Sequence, residues 1–241
     1  MAPASAASPE KRAFFGRRKG HRLHPGQQRL IETLLPSLLV DPVQAPIDAT
    51  KIFGGPRPLF LEIGYGGGEH LFARATERPE AGFIGCEPYL GGIGKLLARI
   101  ASEKLDNMRL FTDDALLLLP ALAPASLDGV FLLYPDPWPK KRHHKRRFVS
   151  HSTLGELARS MKPGGEFRFA TDIEDYANWT LAQIVRSSDF AWSPGRPRAW
   201  REPWPDYAPT RYEQKARQQG RAPFYFSFSR RPLPAPAPEA I

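Results

Sequence analysis

Short apolar segments alternate with stretches of helical spacing over residues 57–172, and this alternation limits the fold more than any other feature of the sequence. Strand-like apolar segments cover residues 59–64, 83–87, 108–112, 128–134 and 166–170. Helical apolar spacing is found at residues 69–78, 90–103, 115–122, 150–161 and 175–187. Strands and helices in alternation form βαβ units with a parallel sheet between helix layers. We therefore predict an α/β fold, a single doubly wound Rossmann-like domain with a mostly parallel sheet.

The first predicted strand runs into a glycine-rich turn, LEIGYGGG at residues 61–68. Gly64 and Gly66 allow positive φ angles and let a ligand approach the backbone closely. The dinucleotide fingerprint needs a third glycine where a phosphate meets the helix start, but Glu69 stands there. Glu62 at the strand end adds a second negative charge. The loop therefore favours a cationic or zwitterionic ligand such as S-adenosylmethionine over NAD.

Acidic residues also follow the second and third predicted strands. Glu87 lies about twenty residues after the glycine turn, where a carboxylate accepts hydrogen bonds from ribose hydroxyls. Asp113 and Asp114 follow the third strand, where an acid either accepts the adenine amino group or caps the next helix. Right-handed crossovers place these strand ends along one edge of the sheet, where ligands bind. We predict that these acids form a nucleoside site.

The fourth predicted strand ends in a proline-rich loop, YPDPWPK at residues 134–140. Its prolines fix the backbone on both sides of Asp136, and Trp138 follows. An acid held in this way favours a functional role over a rigid turn. The adjoining run KKRHHKRR at residues 140–147 carries a net charge of +6.

Clustered positive charge indicates a polyanionic partner. The chain has a formal charge of +9. The basic run carries +6 and residues 1–24 carry +5, so the rest of the chain is slightly acidic. Such clusters attract nucleic acid more strongly than diffuse charge does. We predict RNA-contacting roles for Arg142, Lys145, Arg146 and Arg147.

Two segments beyond the fourth strand carry signals that fit either a site or a helix cap. Thr171 and Glu174 have capping-box spacing, so Asp172 is either a site residue or part of a helix start. Thr210 and Glu213 have the same spacing. They lie in residues 194–223, which contain prolines and tryptophans. We predict that this segment forms a substrate-side loop and helix, the loop being ordered or acting as a substrate lid. Residues 224–229 read as a late strand.

Composition excludes several classes of protein. No apolar run is long enough to span a bilayer, and the single cysteine rules out a disulfide framework or a thiolate metal site. The neighbouring histidines 143 and 144 do not favour a metal, so none is expected. This usage of cysteine favours an intracellular location. We predict a flexible basic arm at residues 1–25, a domain at residues 26–230, and a disordered Pro/Ala tail at residues 231–241.

The chain resembles the bacterial tRNA (guanine-N7)-methyltransferase family over residues 58–229, through the motifs LEIGYGGG, GCEP, DDA, YPDPWPKKRHHKRR, FATD and TRYEQKARQQG. The resemblance implies a class I methyltransferase fold with a seven-stranded sheet and S-adenosylmethionine as cofactor. It implies methylation of N7 of a guanine in the tRNA variable loop, at position 46. It also implies a cytoplasmic enzyme, monomeric or homodimeric, whose partner is tRNA, with no membrane and no obligate protein partner.

Individual roles are carried over by the same resemblance. Asp136 matches the proposed catalytic position of the family. The positions matching cofactor-binding residues are Glu62, Gly64, Gly66, Glu87, Asp114 and Asp136. The positions matching substrate-contacting residues are Lys140, Asp172, Thr210, Arg211, Tyr212 and Glu213.

Three other functions fit part of the pattern. An amino-group methyltransferase would carry a related proline-rich loop, but Trp138 breaks the expected pair of prolines. An RNA-binding module would need no cofactor. A NAD-linked oxidoreductase is disfavoured by Glu69.

Overall fold

The predicted alternation of strands and helices is present in the computed structural model, which describes residues 20, 22–192 and 194–232. The strands are β1 Leu59–Ile63, β2 Gly82–Cys86, β3 Met108–Phe111, β4 Leu127–Leu133, β5 Met161–Thr171, β6 Phe190–Trp192 and β7 Phe224–Arg230. The helices are α1 Pro25–Thr33, α2 Leu35–Leu38, α3 Ala49–Phe53, α4 Glu69–Glu77, α5 Leu90–Glu103, α6 Ala115–Leu118, α7 His151–Ser160, α8 Glu174–Arg186 and α9 Arg211–Gln218.

Within the described residues, the strands form one seven-stranded sheet in the order β3-β2-β1-β4-β5-β7-β6. The first five strands pair in parallel, whereas β7 pairs antiparallel with both β5 and β6. The strand order reverses beside β1, since β2 and β4 flank it on opposite sides. Ligands of such sheets bind at this switch point, beyond the carboxyl ends of the strands. The predicted fold class is therefore confirmed.

Helices cover both faces of the sheet because the central strands are apolar on both sides. In α5, the buried residues Ile93, Leu96, Leu97 and Ile100 recur at helical spacing and pack into a core cluster with β2 and β3. A second cluster on the other face joins β1, β4 and β5 to α6, α7 and α8. Helix α7 begins with a capping box in which Ser150 accepts a hydrogen bond from the Thr153 amide. This packing leaves a cavity at the carboxyl ends of β1–β4.

Several elements differ from the predictions. Helices α1–α3 and strand β6 were not predicted. The elements α2, α3 and β6 have five residues or fewer, which is too short for a clear period. Strand β5 begins at Met161, where helix α7 was expected to end. The predicted capping box of Thr171 and Glu174 is wrong, because Ile173 is the N-cap residue of α8 and provides no side-chain hydrogen bond. The predictions for residues 1–19 and 233–241 lie outside the described residues.

No helix in the described ranges has both the length and the apolar character that crossing a membrane requires.

Candidate active site

The carboxyl ends of β1–β4 open into one cavity of about 400 Å³. The structure brings together there the predicted cofactor residues Gly64, Gly66, Glu87, Asp114 and Asp136. These residues come from four different loops, and the parallel strands alone place them on one edge. The cavity also matches the size range of small-ligand sites.

The glycine loop is shaped to leave space for a ligand. Gly64 and Gly66 have φ angles of 72° and 57°, which L-residues with side chains rarely adopt. Apart from Gly64 itself and its two chain neighbours, no described residue has an atom within 4 Å of the position that a Cβ atom would take at Gly64. In contrast, a Cβ atom at Gly92 of α5 would collide with the Gly66 carbonyl oxygen. The backbone of this loop is therefore open to the cavity on one side and closely packed on the other.

Glu87 fixes the glycine loop from the end of β2. Its Oε2 atom accepts a hydrogen bond of 2.8 Å from the Gly66 amide, and Oε1 accepts one of 2.9 Å from the Tyr89 amide. Burial raises the pKa of Glu87, while these two amides and the Arg211 guanidinium oppose that rise. Each carboxylate oxygen retains a second lone pair, so Glu87 can still accept a hydrogen bond from a ligand hydroxyl.

Asp114 serves as a helix cap while lining the cavity. It is the N-cap residue of α6, and its Oδ1 atom accepts a hydrogen bond of 3.0 Å from the Leu116 amide. Its neighbour Asp113 accepts a 2.8 Å hydrogen bond from the Asp114 amide and also lines the cavity. Both interpretations of Asp114 from the sequence, cap and site residue, are therefore compatible with its position.

The loop that carries Asp136 is strained on both sides. Tyr134 and Trp138 have φ angles of 51° and 45°, although neither is glycine. Such backbone conformations cost free energy and concentrate at functional sites. Asp136 remains solvent-accessible, but the walls around it desolvate the carboxyl group and raise its pKa. The loop presents a carboxylate whose charge is incompletely solvated.

The basic run forms a 3-10 helix, Lys141–Arg146, next to this loop. Arg142 and Lys145 are exposed, and the guanidinium of Arg146 lies 4.9 Å from the centre of the Trp138 ring. This arrangement places positive charge beside the cavity. Lys140 is also exposed but does not line the cavity.

The structure contradicts an RNA-contacting role for Arg147. Its side chain is buried, and its Nε atom donates a 2.9 Å hydrogen bond to the Pro137 carbonyl oxygen. The guanidinium also pairs with Asp175 and lies over the rings of Tyr176 and Trp179. Arg147 folds back into the protein because α8 supplies both a carboxylate and aromatic faces. It supports the Asp136 loop from within.

The structure also places Glu62 away from the cavity. Its side chain is 2% exposed, and its Oε2 atom lies 2.7 Å from Nδ1 of His70 in α4. The neighbouring Ile63 lines the cavity instead. Because successive strand residues point to opposite faces, Glu62 and Ile63 cannot both face the same space. Glu62 does not line the cavity, and its contact with a ligand stays a prediction.

Asp172 lies at the predicted edge but outside the cavity. It follows β5, and its Oδ2 atom pairs with Nε of Arg221, 49 residues later. Its side chain is 12% exposed. The ion pair ties the end of β5 to the chain beyond α9.

Of residues 210–213, two have structural roles and two line the cavity. Thr210 is the N-cap residue of α9 and accepts a hydrogen bond from the Glu213 amide. Glu213 is buried and accepts hydrogen bonds from Tyr225 at 2.7 Å and Arg217 at 2.8 Å. Thus only the first half of the predicted capping box forms. Arg211 and Tyr212 line the cavity.

Some cavity residues carried no sequence signal. Tyr89, Phe148 and Thr153 line it from positions that the motifs did not mark. Phe148 and Thr153 reach the cavity only because the basic run turns back before α7. Among the described residues, no group of three or more His, Cys, Asp and Glu side chains could hold a metal ion.

Comparison with known proteins shows the family. A family model described as "Putative methyltransferase" matches residues 56–225. The tRNA (guanine-N(7)-)-methyltransferase of Nitrobacter hamburgensis is 51% identical over 90% of this chain and 86% of its own length. Its counterpart from Bradyrhizobium diazoefficiens is 50% identical over 91% of this chain and 94% of its own.

A solved structure is similar in fold. The 16S rRNA methyltransferase KamB has a TM-score of 0.54 and 14% identity, over 77% of this chain and 95% of that one. The strand order and the cavity at the switch point are consistent with the family that the sequence identity to these relatives shows. The chain belongs to the tRNA (guanine-N(7)-)-methyltransferase family.

Proposed function

We propose that the protein transfers a methyl group from S-adenosylmethionine to N7 of a guanine in tRNA, at position 46 of the variable loop, in the cytoplasm. The observation that carries this proposal is the convergence of Glu87, Asp114 and Asp136 in one cavity beside a basic helix. Relatives about half identical to this chain bear the matching name. When bound, S-adenosylmethionine supplies an electrophilic methyl group.

The residues of the cavity suit this cofactor. The open space beside the backbone of Gly64 can accommodate a small ligand. Glu87 and Asp114 supply acceptors for ribose hydroxyls and an adenine amino group. The surplus of carboxylates suits a ligand that carries a sulfonium charge.

Asp136 is the proposed catalytic residue. Guanine N7 already presents a lone pair as an acceptor, so the reaction needs no general base to create a nucleophile. The purine ring gains positive charge when N7 is methylated. A preorganised carboxylate in a partly desolvated site stabilises such charge more strongly than water does. Arg147 keeps Asp136 in place through its hydrogen bond to the Pro137 carbonyl oxygen.

Aromatic and basic side chains would hold the RNA. The target guanine must leave its stack, and Trp138 and Tyr212 provide aromatic faces at the cavity. Glu213 stays a predicted substrate-contacting residue, although its side chain is buried and does not line the cavity. Exposed Arg142 and Lys145 supply phosphate contacts that position the RNA without reading sequence.

The direct test is to incubate the protein with tritiated S-adenosylmethionine and bulk tRNA, then identify the labelled nucleoside by mass spectrometry. The proposal expects 7-methylguanosine. A methylated exocyclic amino group would instead identify an amino-group methyltransferase.

The variant Asp136→Asn tests the catalytic role. It should abolish methyl transfer while tRNA affinity persists, because the amide keeps the shape but removes the charge. The matched control is Asp106→Asn, an exposed aspartate before β3 at the opposite edge of the sheet. Near-normal turnover by Asp136→Asn would remove this residue from the mechanism.

A further inference from the structure

The cavity contains more negative than positive charge near the glycine loop. Among the described residues, its lining includes the four carboxylates Glu87, Asp113, Asp114 and Asp136. S-adenosylmethionine carries a carboxylate of its own on its methionine part. That group would be repelled by the cavity unless a cation lies close to it.

Three arginines line the cavity within the described residues, and two of them are engaged elsewhere. Arg147 is buried against Asp175. Arg146 lies over the Trp138 ring, on the side of the Asp136 loop. Arg211, at the start of α9, is the third.

Arg211 lies over the glycine loop. Its Nη2 atom is 3.7 Å from the position of a Cβ atom built on Gly66, and the Tyr212 ring lies 3.0 Å from that position. The guanidinium donates a 3.2 Å hydrogen bond to the Tyr212 hydroxyl and lies 4.9 Å from the centre of that ring. No carboxylate of the described residues forms an ion pair with Arg211.

The helix that carries Arg211 is held firmly against the sheet. Glu213 accepts hydrogen bonds from Tyr225 of β7 and from Arg217, and Arg217 also donates to the Tyr225 hydroxyl at 3.1 Å. The start of α9 therefore has a defined position over the glycine loop, although the chain before it is a long proline-containing loop.

We propose that Arg211 binds the carboxylate of the methionine part of S-adenosylmethionine, so that α9 belongs to the cofactor site. This inference rests on the proposed function, since it assumes that cofactor. Arg211, which the sequence predicts to contact the substrate, would then also bind the cofactor. A guanidinium presents paired donors that match a carboxylate, and a neutral phenol as its present partner leaves donors available.

The test compares two ligands by isothermal titration calorimetry on the full chain. S-adenosylhomocysteine has the methionine-derived carboxylate, whereas 5′-methylthioadenosine keeps adenine, ribose and sulfur but lacks the amino acid. Arg211→Gln should weaken S-adenosylhomocysteine binding by about 10- to 100-fold, the range for a lost charge-assisted hydrogen bond. Binding of 5′-methylthioadenosine should stay unchanged. Arg211→Lys should restore part of the lost affinity.

The matched control is Lys215→Gln, which removes an exposed charge from the same helix without altering the cavity lining. Both affinities should then equal those of the wild type. If Arg211→Gln weakens the binding of both ligands equally, or does not weaken the binding of S-adenosylhomocysteine, the inference about Arg211 is overturned but the proposed function is not. A wild-type protein that binds neither ligand would overturn the proposed cofactor and this inference together.

Discussion

Replacing Arg147 by methionine should destabilise the protein without weakening its contacts to RNA. The substitution keeps the volume of the buried side chain but removes the hydrogen bond to the Pro137 carbonyl oxygen and two contacts to aromatic rings. A hydrogen bond from a charged group is worth about 1.5–3 kcal/mol, and each ring contact about 0.5–1 kcal/mol. Asp175 is 62% exposed, so water solvates it afterwards and its ion pair adds little. The expected loss is about 2.5–5 kcal/mol.

Calorimetry and RNA binding together measure this effect. For a domain of this size, each kcal/mol lowers Tm by about 2–4 °C, so Arg147→Met should lower Tm by about 5–20 °C. Filter binding of tRNA at several salt concentrations should give a wild-type salt slope. The control Arg142→Gln changes an exposed residue and should have the opposite effects. Its Tm should equal that of the wild type, and the slope of log binding constant against log salt concentration should become smaller by about one.

The opposite pattern would refute this account of Arg147. If Arg147→Met keeps its Tm and shows the reduced salt slope of Arg142→Gln, the side chain faces RNA in solution and does not support the loop.

Three further changes test other parts of the structure. Asn107→Leu should lower the free energy of unfolding, measured with urea, by about 2–4 kcal/mol. The reason is that the buried amide nitrogen of Asn107 donates to the carbonyl oxygens of Ala75, Arg78 and Ala81. A loss as small as that of the exposed control Asn178→Ala would contradict this. Gly66→Ala should weaken S-adenosylhomocysteine binding at least about 10-fold, because φ is positive there and the Tyr212 ring leaves no room for a methyl group. Gly155→Ala, which has open space around it, should leave that affinity unchanged, and equal affinities for the two variants would count against the loop geometry. Desolvation raises the pKa of Asp136, and only the ionised carboxylate stabilises a cationic purine. As the pH is lowered, kcat should therefore begin to fall at a pH above the ordinary pKa of an aspartate, which is about 4. A fall that begins only below that value would exclude this assignment.

The cavity acids were predictable because their positions depend on local patterns. Glu87, Asp114 and Asp136 follow strands whose apolar segments are evident in the sequence, and parallel strands bring such ends together. The same period of two within β1 places the side chains of Glu62 and Ile63 on opposite faces of the strand, so the burial of Glu62 beside His70 follows from the sequence once the strand is known.

The role of Arg147 could not be read from the sequence. It stands last in an eight-residue basic run, and nothing in that run distinguishes it from its exposed neighbours. Its burial depends on Asp175, Tyr176 and Trp179 of α8, about thirty residues later. Contacts of this range arise from tertiary packing, which no local period encodes.

The most direct test of the proposed activity replaces one atom of the acceptor. A synthetic tRNA carrying 7-deazaguanosine at the variable-loop target has a carbon–hydrogen group in place of N7. Binding of this RNA and of its natural counterpart should be measured first, to show that both reach the protein equally. The account predicts that tritium from S-adenosylmethionine enters the natural RNA but not the substituted one. Continued incorporation into the 7-deazaguanosine RNA would show that the protein methylates an atom other than N7 of that guanine.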